Sequence, residues 1–197
     1  MRRTVFTLLA VAGAATVSCA HDEPLPPPEA MPPEAAGMPA AGRLVLTGLR
    51  KPIVALITET GIQGPEVNLG RYPVKGGPTA WRGTAFAREV NLEVSVDGAE
   101  GIAGRTPLDL RVAPEPGSMV VNGLIAGAPS TVTISRARIN GAFGRCGYDL
   151  RFQGQAYVGS RSCGGTPVQV GLTLPPILNT WPDAEVATVL AILLSGR

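Results

Sequence analysis

Behind residue 43, apolar and polar positions alternate along most of the chain. The clearest run is Val90-Asn91-Leu92-Glu93-Val94-Ser95-Val96, which puts Val90, Leu92, Val94 and Val96 on one face of a strand. Asp97-Gly98 follows as a type I′ hairpin signal, so Glu100 to Gly104 should return beside it. Residues 108–112, 119–125, 131–137 and 168–174 repeat the strand pattern, with turns predicted over Pro114-Glu115-Pro116-Gly117 and Gly127-Ala128-Pro129. Residues 53–58 read as a strand, although that apolar run also fits a helix. Residues 61–79 carry Gly and Pro too often for assignment. Gly101, Gly104, Gly123, Gly127, Gly141 and Gly144 recur about one hairpin apart and read as bends or close approaches in a curved sheet. They are not phosphate loops: no G-x-x-x-x-G-K occurs and none of them opens a helix.

The period changes only near the end. From Pro182 to about residue 195 the chain reads as a helix, with Asp183 and Glu185 suited to its positive end. Val186, Val189, Leu190 and Leu193 form one face; Ala184, Ala187, Thr188 and Ala191 form a second, of small residues. A helix apolar all round is buried, and this one is too short for a bilayer, so it should plug a barrel or pack on a sheet rather than meet a partner. The pattern predicts a mainly β fold: an antiparallel meander forming a small barrel or strongly curved sheet, with one C-terminal α-helix.

One hairpin can be registered from sequence. With Gly154-Gln155 as a two-residue turn, Gln153 pairs with Ala156, and Cys146 falls opposite Cys163. The shared face then carries Tyr148, Leu150 and Phe152, with Tyr157 and Gly159 across from them, and Arg161 lies opposite Tyr148, where it can stack. Non-hydrogen-bonded cross-strand pairs have Cα atoms about 4.5 Å apart, within disulfide range.

The first residues change the compartment. Arg2 and Arg3 precede an apolar run from Val5 to Ala15, broken by Thr7, and small residues close the segment at Ala14, Ala15, Thr16, Val17, Ser18 and Cys19. That is the layout of a secretory signal peptide. Its end resembles the lipobox of bacterial lipoproteins, with Thr16 where that family usually has Leu. The resemblance covers only the signal segment. It implies that Cys19 becomes the lipidated N-terminus, with the membrane as a partner through that lipid, and that Ala20 after it favours the outer membrane. The alternative is cleavage after Ala20, which yields a soluble periplasmic or secreted protein beginning at His21. An exported chain makes the Cys146–Cys163 disulfide the expectation.

Three regions follow: residues 1–18 as signal, 19–42 as the lipidated cysteine and a tether, and 43–197 as one β-rich domain. Residues 20–42 hold seven prolines and four acids with no apolar period, a polyproline-like or disordered composition. The 17 basic residues lose Arg2 and Arg3 with the signal, leaving 15 against 15 acidic ones, so nucleic-acid binding loses its only compositional support and no nucleic-acid partner is expected.

Candidate chemistry is sparse. His21, in the tether, is the only histidine, which removes Ser-His, Cys-His and His-based metal designs from the domain. Asp109 and Asp149 could be paired carboxylates, but solvent-facing or salt-bridged acids near arginines are the commoner outcome. Trp81, Trp181, Tyr148 and Tyr157 could line a groove, or be core. The reading is therefore not an enzyme, with no metal and no cofactor. Two non-catalytic classes remain: an envelope module with structural or interaction roles and an envelope-protein partner, or a small barrel binding an apolar ligand in a cavity lined by Leu92, Val94, Leu150 and Phe152.

Overall fold

Residues 42–195 are described by the computed structural model. The alternating stretches form fourteen strands among these residues. They are β1 (Arg43–Thr47), β2 (Ile53–Thr58), β3 (Gly61–Gly64), β4 (Val67–Tyr72), β5 (Thr79–Ala85), β6 (Arg88–Val94) and β7 (Gly98–Ala103). The second half comprises β8 (Thr106–Glu115), β9 (Ser118–Ile125), β10 (Ala128–Ser135), β11 (Arg138–Phe143), β12 (Cys146–Gln153), β13 (Ala156–Ser162) and β14 (Val168–Thr173). Each strand pairs antiparallel with its chain neighbours, and β1 closes on β14. The meander is thus a closed up-and-down barrel with no free edge. The barrel alternative of the sequence reading is the one found, and residues 53–58 are a strand.

Three turns depart from expectation. The β6–β7 turn centres on Val96-Asp97, one residue early, so Val96 is 91 % exposed instead of facing the core. Ser95 donates its backbone N–H to Gly98 O and its hydroxyl to the Asp97 carboxylate, which fixes this register. Gly98 is needed inside β7, because a Cβ there would lie 2.0 Å from Leu110 O. A second turn is Pro116-Gly117 alone; Pro114 and Glu115 belong to β8, opposite Met119 and Ser118. The turn expected over Gly127-Ala128-Pro129 is Ala126-Gly127, with Ala128 and Pro129 in β10 opposite Ile125 and Leu124.

The barrel wall is built from a hairpin repeat. Counted from Gly83, Gly101, Gly123 and Gly141, position +3 is Phe86, Gly104, Ala126 and Gly144, each with positive φ and each opening a two-residue turn. Positions +7, +9 and +11 are the inward residues of the return strand: Val90, Leu92, Val94; Leu108, Leu110, Val112; Ser130, Val132, Ile134; Tyr148, Leu150, Phe152. All are buried except Phe152. The four glycines share φ of 130–150°. A Cβ at any of them would come within about 2 Å of a carbonyl oxygen on the preceding strand. They mark where the sheet bends hard enough to close.

The helix α1 (Asp183–Ser195) runs through the lumen. Every residue from Ala184 to Leu194 is buried, and the apolar ones form one cluster with the inward faces of the strands. Fourteen strands spaced about 4.8 Å apart give a wall radius of about 11 Å or more once tilted. A helix about 10 Å across then leaves room for one layer of inward side chains. Thirteen residues span about 20 Å, close to the height of the wall. A 3₁₀ turn, Pro176–Thr180, leads from β14 into it.

Candidate functional site

Alternating strand direction gives the barrel two rims. One carries the starts of β1 and α1; the other carries the β11–β12 turn and the end of α1. At the first rim the helix start is tied down by charge. Arg71, at the end of β4, donates from Nε to Glu185 Oε2 at 2.6 Å and from Nη2 to Oε1 at 2.9 Å. Thr79 adds a hydroxyl donor to Oε1 at 3.1 Å. Glu185 is buried, so this bidentate pair is what allows a carboxylate there. The hydrogen bond to Glu185 holds the Arg71 guanidinium above its ordinary pKa. Its Cζ lies 5.2 Å from the Trp181 ring centroid, and that ring packs on Trp81 with centroids 5.4 Å apart.

At the opposite rim the helix end meets the disulfide. Cys146 and Cys163 are bonded, with Cα atoms 4.1 Å apart, and the register 153–156 through 147–162 runs as the turn at Gly154-Gln155 dictates. Arg161 lies opposite Tyr148, its guanidinium 5.9 Å from the ring centroid. Its Nε donates to the Tyr148 hydroxyl at 2.8 Å and its Nη2 to Cys146 Sγ at 3.4 Å. The Tyr148 hydroxyl donates in turn to Leu194 O at 2.6 Å, satisfying a carbonyl in the helix's last turn. Burial raises the Tyr148 pKa, against the opposing pull of Arg161.

The proposed lining residues divide. Leu92, Val94 and Leu150 are inward and buried, but they belong to the same packed cluster as α1, so the lumen they face holds the helix. Phe152 is a correction: it is 47 % exposed. It shares the inward row but sits beside the Gly154-Gln155 turn, where the mouth opens to solvent, and leans edge-on against Tyr157. Asp109 and Asp149 do not meet. Asp109 is on β8, opposite Glu100; Asp149 is on β12 and pairs with Arg138 at 2.9 Å. Trp81, Trp181, Tyr148 and Tyr157 are core residues. Cys19 lies outside the described residues.

The outer wall is mainly polar, with Ile102 and Leu124 as exposed apolar exceptions. Its outward positions include Glu89, Asn91, Glu93, Asp109, Arg111, Asn122, Thr131 and Thr133, all exposed. A membrane-spanning barrel has the reverse pattern, apolar outside. Among the described residues no helix is long and apolar enough to cross a membrane. One depression of about 320 Å³ opens on this wall, lined by Glu93, Ser95, Glu100, Asp109 and Arg111. Register puts Glu93, Glu100 and Asp109 in one row across β6, β7 and β8. Among the described residues no three His, Cys, Asp or Glu side chains gather as metal ligands.

The fold thus defines a closed antiparallel barrel filled by its own C-terminal helix. No protein-family model, curated protein or solved structure matches this chain.

Proposed function

We propose that the chain is an exported lipoprotein, anchored through Cys19, whose barrel serves as a structural or interaction module of the cell envelope. The observation that carries this reading is the helix-filled lumen inside a polar wall. The interior is used for stability, so what the domain offers other molecules is its outer surface and its rims. The signal layout of residues 1–18 and the proline-rich stretch behind Cys19 support anchoring at a distance from the membrane. The partner class is another envelope protein, and Ala20 favours the outer membrane. No catalytic step is assigned to the domain.

Fractionation of cells expressing wild type and Cys19→Ser tests the anchor. Wild type is expected in the membrane fraction, and Cys19→Ser in a soluble or unprocessed form. Wild-type protein recovered soluble, with His21 as its first residue, would establish the secreted alternative instead. Cross-linking in the intact envelope followed by affinity purification then reads the partner.

A further inference from the structure

We propose that the Cys146–Cys163 bridge is a thiol–disulfide exchange site, in which a thiol from solvent joins Cys163 and Cys146 departs as a thiolate held by Arg161. The bridge is asymmetric. Cys146 is 3 % exposed, inside the rim at the start of β12. Cys163 is exposed, just past the end of β13, and opens the loop Cys163-Gly164-Gly165-Thr166-Pro167, every residue of which is exposed. Nothing lies within 4 Å of where a side chain at Gly164 or Gly165 would point, so the approach to the loop is open. A nucleophile arriving from solvent therefore reaches the Cys163 sulfur, not the Cys146 sulfur.

The leaving side is prepared for charge. Exchange proceeds by in-line attack of a thiolate on one sulfur, with the S–S electron pair passing to the other. Here R–S⁻ bonds to Cys163 Sγ, the bridge breaks, and Cys146 Sγ takes the pair and the negative charge. A bare thiolate at so buried a position would be costly. The Arg161 Nη2 already donates to this sulfur at 3.4 Å, and Arg161 is itself 8 % exposed, so its field is little screened by water. A second thiol, or the second sulfur of a dithiol reductant, then attacks the mixed disulfide at the R sulfur. That releases R–S–S–R and leaves Cys163 as a thiolate, completing a two-electron reduction. The substrate class is a solvent-borne thiol or dithiol. A bridge with only a stabilising role needs neither an exposed cysteine on one side nor a guanidinium on the buried one.

The test uses the exported protein and reduced glutathione as probe, quenched with acid and mapped by mass spectrometry. The adduct is expected on Cys163, with Cys146 free, while tryptophan fluorescence shows the barrel still folded. Arg161→Met is expected to slow the reaction on the order of tenfold, since a poorer leaving thiol departs more slowly. Arg161→Lys should retain most of the rate. An adduct on Cys146, no adduct until the protein is unfolded, or equal rates for wild type and Arg161→Met would each overturn the proposal. A Cys163→Ser variant gives a reading independent of how Arg161→Met folds. Cys146 should then show thiolate ultraviolet absorbance at neutral pH, and a protonated thiol there would also overturn it.

Discussion

At the scale of single residues, the barrel depends on backbone that only glycine adopts easily. Gly123 has φ 150°, and a Cβ added to it would stand 1.9 Å from Asp109 O. The obstacle is a carbonyl in a paired strand, so neither partner can yield without breaking the ladder. Gly123→Ala should destabilise the protein by about 2–3 kcal/mol, read as a shift of the denaturant midpoint with unchanged slope. Gly117→Ala is the contrast: it has positive φ but nothing within 4 Å, so its cost should stay near about 1 kcal/mol. Equal losses at the two sites would show that crowding is not the cause. The role of such glycines was legible in the sequence, since their spacing reads as bends in a curved sheet. The two-residue turn Phe86-Ala87 was not, because neither residue type signals φ values of 53° and 59°. Its place in the repeat sets it: Gly104, Ala126 and Gly144 hold the same position, and identity varies while geometry does not. Gly98 misled in the other direction. Asp-Gly is a strong turn signal, but the glycine is spent on close approach to Leu110 rather than on the turn.

Among elements, α1 is fixed at both ends by groups from the wall. Glu185 takes two bonds from Arg71 and one from Thr79; Leu194 O accepts from Tyr148, which Arg161 holds. Removing one partner of a buried pair leaves the other charge uncompensated. Arg71→Ala, which strands the buried Glu185 carboxylate, should therefore cost about 3 kcal/mol, and a paired replacement, Arg71→Met with Glu185→Met, should recover part of it. A double-mutant cycle on thermal unfolding measures the coupling; additive losses would mean that the two residues act independently. The sequence showed the helix, its ends and its all-round burial, and it showed the Cys146–Cys163 hairpin. That hairpin was legible because one turn fixes a two-strand register by counting. The Arg71–Glu185 pair spans 114 residues, and Arg71 lies in the Gly- and Pro-rich stretch that carried no pattern, where β3 and β4 turned out to be short strands. The acid at the helix start reads equally well as a favourable charge for the helix dipole, and nothing local names its partner.

For the whole molecule, strand number and helix are one design. A meander of this length could curl into an open sheet or close, and pairing of β1 with β14 decides it across more than a hundred residues. No sequence period encodes that pairing; the lumen does. A fourteen-stranded wall without a filling would enclose a void far larger than side chains alone can occupy, and interiors do not tolerate such voids. The inward residues are mostly Val, Leu and Ile, long enough to reach a helix surface but not one another across the centre. Ala184, Ala187 and Ala191, all fully buried, let the wall approach the helix on its small-residue face. The helix is thus expected to be a condition of closure rather than an appendage. A chain ending at Leu174 should lose the cooperative thermal transition and the near-ultraviolet circular dichroism of Trp81, and should bind a hydrophobic dye through its exposed inner face. Adding a synthetic peptide covering residues 176–195 should restore both signals, because the deleted part contributes filling and a terminal ion pair but no strand. A truncated chain that kept its sharp transition would show that the wall closes on its own, with a smaller strand count or a different filling than the one described.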